Sequence, residues 1–165
     1  MKKNYLSIVL LVSFQLLTAQ SFKGKSDKKF QFGANIQSRA VGVSSSFDLG
    51  LGENLSFGLM ANYLINADEA LNEKAKFSDR TDLKARFNAH LGDVIGLPSV
   101  IDVYPGLSLG TKNFGGHVGI RYFFSDGFGV YSEATFPIAR YDSSVIGVER
   151  YNNQFVLTIG ASFNL

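Results

Sequence analysis

The sequence predicts an all-β fold, an eight-stranded, antiparallel, up-and-down transmembrane β-barrel. Three observations carry this. Eight segments alternate apolar with small or polar residues at a two-residue period. No Asp, Glu, Lys, Arg or His falls on the apolar face of any of them. The connections sort into tight turns on one rim and longer loops on the other, the outer-membrane pattern.

The chain opens with Lys2 and Lys3, then an apolar run from Tyr5 to Leu17, then the small residue Ala19. A charged start, a short apolar core and a small-residue end describe a secretory signal peptide, residues 1–19. The run is too short, and too interrupted by Ser7, Ser13 and Gln15, to cross a bilayer as a helix. Residues 20–165 are then a single barrel domain. Without Lys2 and Lys3 the chain holds 14 basic and 14 acidic residues, so no global charge favours nucleic acid. Cysteine is absent, which excludes disulfides, thiol chemistry and a lipid anchor on an N-terminal cysteine.

The first strand, 29–37, aligns Phe30, Phe32, Ala34 and Ile36. The second, 41–51, aligns Val41, Val43, Phe47, Leu49 and Leu51. A tight turn at Gly52-Glu53-Asn54 leads to the third, 55–65, with Leu55, Phe57, Leu59, Ala61, Tyr63 and Ile65. A long loop, 66–80, precedes the fourth, 81–91, with Leu83, Ala85, Phe87, Ala89 and Leu91. Residues 92–99, with Pro98, lead to the fifth, 100–110, with Ile101, Val103, Leu107 and Leu109. The sixth, 114–124, offers Phe114, Val118, Ile120, Tyr122 and Phe124. Ser125-Asp126-Gly127 turns into the seventh, 128–138, with Phe128, Val130, Ala134, Phe136 and Ile138. A second long loop, 139–152, precedes the eighth, 153–165, with Phe155, Leu157, Ile159, Ala161, Phe163 and Leu165.

Alternation alone does not say which face points outward, because a soluble lipocalin-like barrel lines its cavity with the apolar face. The composition of the other face favours the membrane. It is rich in glycine, which weakens a solvated strand but makes room in a narrow interior. It also mixes Asp48, Asp82, Asp102 and Glu133 with Lys84, Arg86 and Arg121, a balance that suits an internal ion-pair network. Asp82, Lys84 and Arg86 alternate on one strand and are expected to pair across the lumen, with Glu133 and Arg121 among the candidates. Tyr104, Phe123 and Tyr131 also point inward and fill the bore. Two aromatic bands, Tyr63, Phe114, Phe136 and Phe155 near one rim and Tyr122, Phe124, Phe128 and Phe163 near the other, suit interfacial girdles.

Chemistry is sparse. Gly50-Leu51-Gly52 lacks the third glycine and following helix of a dinucleotide site. His90 and His117 face inward without the neighbouring ligands a metal needs, so they join the lumen network. Ser44, Ser46 and Ser108 face inward with no Ser-His-acid order in the sequence. No catalytic, cofactor or metal residues are expected, and the chain is not expected to be an enzyme. The loops 66–80 and 139–152 carry mixed charges that suit contact with lipopolysaccharide or a surface partner.

The segments 22–25 (FKGK), 30–37 (FQFGANIQ), 49–58 (LGLGENLSFG), 102–107 (DVYPGL), 113–130 (NFGGHVGIRYFFSDGFGV) and 152–165 (NNQFVLTIGASFNL) resemble an uncharacterised Bacteroidetes-type family of outer-membrane barrels. More broadly the chain is similar to small eight-stranded barrels such as the OmpA membrane domain. The resemblance implies the outer membrane of a Gram-negative bacterium, insertion by the barrel assembly machinery, and contact with membrane lipids and lipopolysaccharide. It implies no ligand. Leu165 stands where many such barrels end in an aromatic residue. The expected function is a structural or surface-interaction role with a filled lumen and no general porin activity. The alternatives, in order, are a narrow transport or ligand-binding barrel, a soluble lipocalin-like barrel and an outer-membrane enzyme.

Overall fold

The computed structural model describes residues 20–68, 74–142 and 147–165. The signal segment and parts of both long loops, where mixed loop charges are expected, lie outside the described residues. Eight strands form the barrel: β1 (Lys28–Gln37), β2 (Ala40–Gly50), β3 (Leu55–Ala67), β4 (Thr81–Ala89), β5 (Ile101–Gly110), β6 (Asn113–Phe123), β7 (Phe128–Arg140) and β8 (Val156–Asn164). Each pairs antiparallel with its sequence neighbours, and β1 pairs with β8 to close the sheet. Closure leaves no unpaired edge, so every strand can satisfy its backbone groups within the barrel. Within the long loop before β4 lies a one-turn helix, α1 (Phe77–Arg80). A 3-10 turn, Gly147–Arg150, precedes β8.

Two strands are shorter than the alternation predicts. β4 ends at Ala89, not Leu91. Its ladder with β5 has five rungs and stops at Asn88↔Gly106. The next residue of β5 is Pro105, which has no N–H to give β4. β8 has nine residues, not thirteen, because Asn153 and Gln154 leave the strand for a cap described below. β3 and β7 run further than predicted, to Ala67 and Arg140. Register shifts between Val41 and Gly42 and between Phe114 and Gly115 bend the sheet at that rim.

The barrel is apolar outside and polar inside. Leu59, Ile120 and Ile159 are half or more exposed, while Arg86 and Arg121 are the largest fully buried side chains. Of the soluble and membrane arrangements that alternation allows, this is the membrane one. Tyr104 and Phe123 are wholly buried and Tyr131 nearly so.

The inward glycines explain how a narrow bore takes such groups. A Cβ on Gly119 would strike the Tyr104 ring, and one on Gly106 would strike the His117 imidazole. Gly127, in the β6–β7 turn, has open space where its Cβ would stand. Gly119→Ala should therefore destabilise the barrel by about 1–3 kcal/mol through overpacking, while Gly127→Ala should be near neutral. Urea unfolding in lipid vesicles measures both, and equal midpoints would contradict the tight Gly119–Tyr104 contact.

Candidate functional site

Alternation brings one charged residue from each of several strands to the same level of the lumen. Asp48 (β2) lies between two guanidinium groups. Its Oδ1 is 3.4 Å from Arg86 Nε, and its Oδ2 accepts a bond from Arg121 Nη2 at 3.1 Å. Arg86 (β4) also holds Glu133 (β7) with both terminal nitrogens, at 3.3 and 2.7 Å. Arg121 (β6) reaches Asp102 (β5) at 3.6 Å. The Arg121 guanidinium stacks on Tyr104, its Cζ 3.8 Å from the ring centroid. A cation over an aromatic face in a dry site is worth more than at a surface.

Neutral groups continue the chain. Asn88 Oδ1 accepts from Arg86 Nε at 3.1 Å and lies 2.7 Å from His117 Nε2. Asn88 Nδ2 donates to Ser56 Oγ at 2.8 Å. Ser56 Oγ is 2.8 Å from His90 Nε2, and His90 Nδ1 is 2.7 Å from Asp102 Oδ2. A carboxylate only accepts, so the His90 proton sits on Nδ1 and Ser56 donates to Nε2. Asp102 returns to Arg121 and so to Asp48. Asp48, Arg86, Asn88, Ser56, His90, Asp102 and Arg121 thus form one closed circuit around the lumen.

All nine residues of the expected lumen network, Asp48, Asp82, Lys84, Arg86, His90, Asp102, His117, Arg121 and Glu133, are buried. Their pairing differs from expectation in two respects. Lys84 pairs with Asp82 on its own strand, at 3.3 Å, not with a facing strand. Asp82 turns instead to the β5–β6 turn, where Oδ1 accepts from Thr111 Oγ1 at 2.7 Å. Arg121 meets Asp48 and Asp102 but not Asp82. The other difference is Ser56. Its sequence spacing from His90 and Asp102 shows nothing, yet the structure brings the three together. Among the described residues, no three His, Asp or Glu side chains gather as a metal set.

Both ends of the bore are closed by residues that strand alternation does not flag. At the end bearing Gln20 and the C-terminal Leu165, a strap of residues 20–27 folds across the mouth. Phe22 stacks on His90, with ring centroids 3.6 Å apart and planes 11° from parallel. Ser21 N–H donates to Ser99 O, and an exposed ion pair joins Lys23 to Asp126. Buried Lys29 binds Asp27 and donates to Asn164, both at 2.7 Å. At the other end Val148 and Tyr151 pack with Ala40 and Leu64. The Tyr151 hydroxyl donates to Asp68 O, and burial with the nearby Asp68 charge raises its pKa above the ordinary value. Asn152 sits at φ 60°, a left-handed conformation that asparagine tolerates. There its N–H donates to Gln37 Oε1 at 2.9 Å, and Asn113 Nδ2 bonds Asn152 O and Asn153 Oδ1.

The chain belongs to the family of unknown function DUF6646, whose profile matches residues 11–165. No curated protein is similar to it in sequence. Its fold is similar to the N-terminal β-barrel domain of Pseudomonas aeruginosa OprF, at 12% identity and a TM-score of 0.60, over 87% of this chain and 100% of that one. It is also similar to a de novo designed transmembrane β-barrel, at 10% identity and a TM-score of 0.59, over 87% and 98% of the two chains. At these identities the likeness concerns the fold alone, and that fold is the outer-membrane barrel type.

Arg86 joins Asp48, Glu133 and Asn88, so its removal strands the buried Glu133 carboxylate and leaves Asp48 with Arg121 as its cation. Arg86→Ala should cost about 3–5 kcal/mol of stability. Exposed Arg140, at the end of β7, should cost under about 0.5 kcal/mol when replaced by alanine. Equal unfolding midpoints for the two variants would refute the central role of Arg86.

Proposed function

We propose that this barrel is an integral protein of the outer membrane of a Gram-negative, Bacteroidetes-type bacterium, with a structural or surface-interaction role and no general porin activity. One observation carries the proposal. An apolar exterior, with charge only at the strand ends Lys28 and Arg140, encloses a lumen that is filled with paired charges and capped at both ends.

The exterior supports the membrane location. Placing a single Lys or Arg on the lipid face at the midplane costs roughly 2–4 kcal/mol, and on that face Lys28 and Arg140 stand only at strand ends, next to the rims. Aromatic contacts cluster where the belt meets the rims: Tyr63 with Phe77 at one, and Phe128 with both Phe124 and Phe163 at the other. The route is secretion through a signal peptide, residues 1–19, cleaved before the assembly machinery inserts the barrel. Both long loops then face outward, where their charges meet lipopolysaccharide or a surface partner.

The lumen supports the absence of porin activity. An eight-stranded bore is just wide enough for side chains to fill. Here Tyr104 fills its centre between Arg86 and Arg121. Ion flow would require parting buried ion pairs, and removing one partner of such a pair costs about 3–5 kcal/mol.

Two measurements test the proposal. After a carbonate wash the mature protein should remain in the outer-membrane pellet, and its recovery in the soluble periplasm would overturn the location. In a planar bilayer the purified protein should pass no sustained porin-scale current, and liposomes carrying it should not swell in small sugars. Stable large channels would overturn the filled-lumen role.

A further inference from the structure

The circuit contains an arrangement that charge neutralisation does not require. Ser56, His90 and Asp102 stand in line, with hydroxyl to Nε2 at 2.8 Å and Nδ1 to carboxylate at 2.7 Å. This is the hydrogen-bond order of an activated serine, whose base is held in one tautomer by a buried acid. The three come from β3, the residue just after β4, and β5, so their alignment is set by the register of adjacent strands. They lie at the strap end of the bore. A small cavity of about 10 Å³, room for roughly one water, lies there between Phe22, His90 and Asp102.

We propose that Ser56 and His90 form an acyl-transfer site for small carboxylic esters, oriented by Asp102 and gated by the strap of residues 20–27. In the capped state Phe22 covers the His90 imidazole face and leaves no space for an ester. With the strap lifted, the ester enters from that mouth. Ser56 Oγ bonds to the carbonyl carbon while its proton passes to His90 Nε2. The charge that forms on the carbonyl oxygen is met by Asn88 Nδ2, which already lies 2.8 Å from Ser56 Oγ. That amide is polarised through its oxygen, bound by Arg86 and facing His117 Nε2. When the carbon–oxygen bond to the leaving group breaks, the departing alkoxide takes the proton from His90. Solvent water then attacks the acyl-serine, gives a proton to His90, and releases the acid as Ser56 regains its hydrogen. The reaction is a hydrolysis and needs no oxidant or reductant.

The strap's weak points are visible. Its outermost tie is the exposed Lys23–Asp126 pair, which salt screens. Its innermost is the Phe22–His90 stack. Phe22→Ala removes that stack, and the lost contact corresponds to a factor of up to roughly ten in strap opening.

The test uses the folded, full-length mature barrel in detergent, with a fluorophosphonate probe and mass spectrometry of the modified peptide. Labelling should fall on Ser56, proceed faster in Phe22→Ala than in the wild type by up to roughly tenfold, and vanish in Ser56→Ala. Asp102→Asn should lower the maximal labelling rate constant without weakening the probe's reversible binding, which separates orientation of His90 from distortion of the mouth. p-Nitrophenyl acetate should give a stoichiometric burst in Phe22→Ala. If that variant does not fold, Phe22→Leu loosens the stack while keeping an apolar side chain at the mouth. Heat-modifiable gel mobility reports the folded state of each variant. A folded, strap-opened barrel whose Ser56 stays unlabelled would overturn the proposal, as would labelling that survives in Ser56→Ala.

Discussion

Asp48 holds two arginines. One of its oxygens faces Arg86 and the other Arg121, and each arginine has a second acid, Glu133 or Asp102, on a further strand. Five strands are thereby tied through the middle of the barrel by side chains alone. An isolated buried charge would be prohibitively costly, so none of these groups can be placed without the others. The arginine fork suits this role, since its five donors lie in one plane and reach separate carboxylates together.

The network also depends on emptiness. A barrel this narrow can admit two arginines and a tyrosine only where the paired position on the neighbouring strand is bare. Gly119 provides that space beside Tyr104, Gly106 beside His117, and Gly58 beside the Asp48 carboxylate. A soluble fold packs its interior with apolar side chains and spreads charge on its surface. Here lipid replaces water as the surroundings, and the charges have only one another as partners. Specificity of pairing then follows from geometry, because each ion pair forms only if the strands hold the right register.

Much of this was legible in the residues. Strand number, facing and the membership of the interior all follow from a period of two, which is a local property. Partner choice was less legible, because it depends on length and level within the lumen. Lys84 and Asp82 alternate on one strand, and nothing local says that they meet each other while Arg86 crosses the bore. The end of β4 could have been sensed from Pro105, whose missing N–H interrupts a ladder. The caps were hidden for a different reason. Phe22, Tyr151 and Asn152 lie outside the strands, where alternation carries no information, and the last two reach residues more than a hundred positions away. Ser56 was hidden among other inward serines, since only the neighbouring strand shows which of them faces a histidine.

The strap is tied to the last strand. Asn164 gives its amide to Gln20 O, 144 positions away in sequence, and takes a bond from Lys29 across 135. Leu165 N–H bonds Lys28 O beside them. Loop closure over such a span comes late, because its entropy must be met by contacts already in place. Asn164 reaches its position only when the final strand has zipped onto the first. The mouth is therefore a lock that the last-formed seam turns, and a barrel left ajar at that seam keeps an unlatched floor.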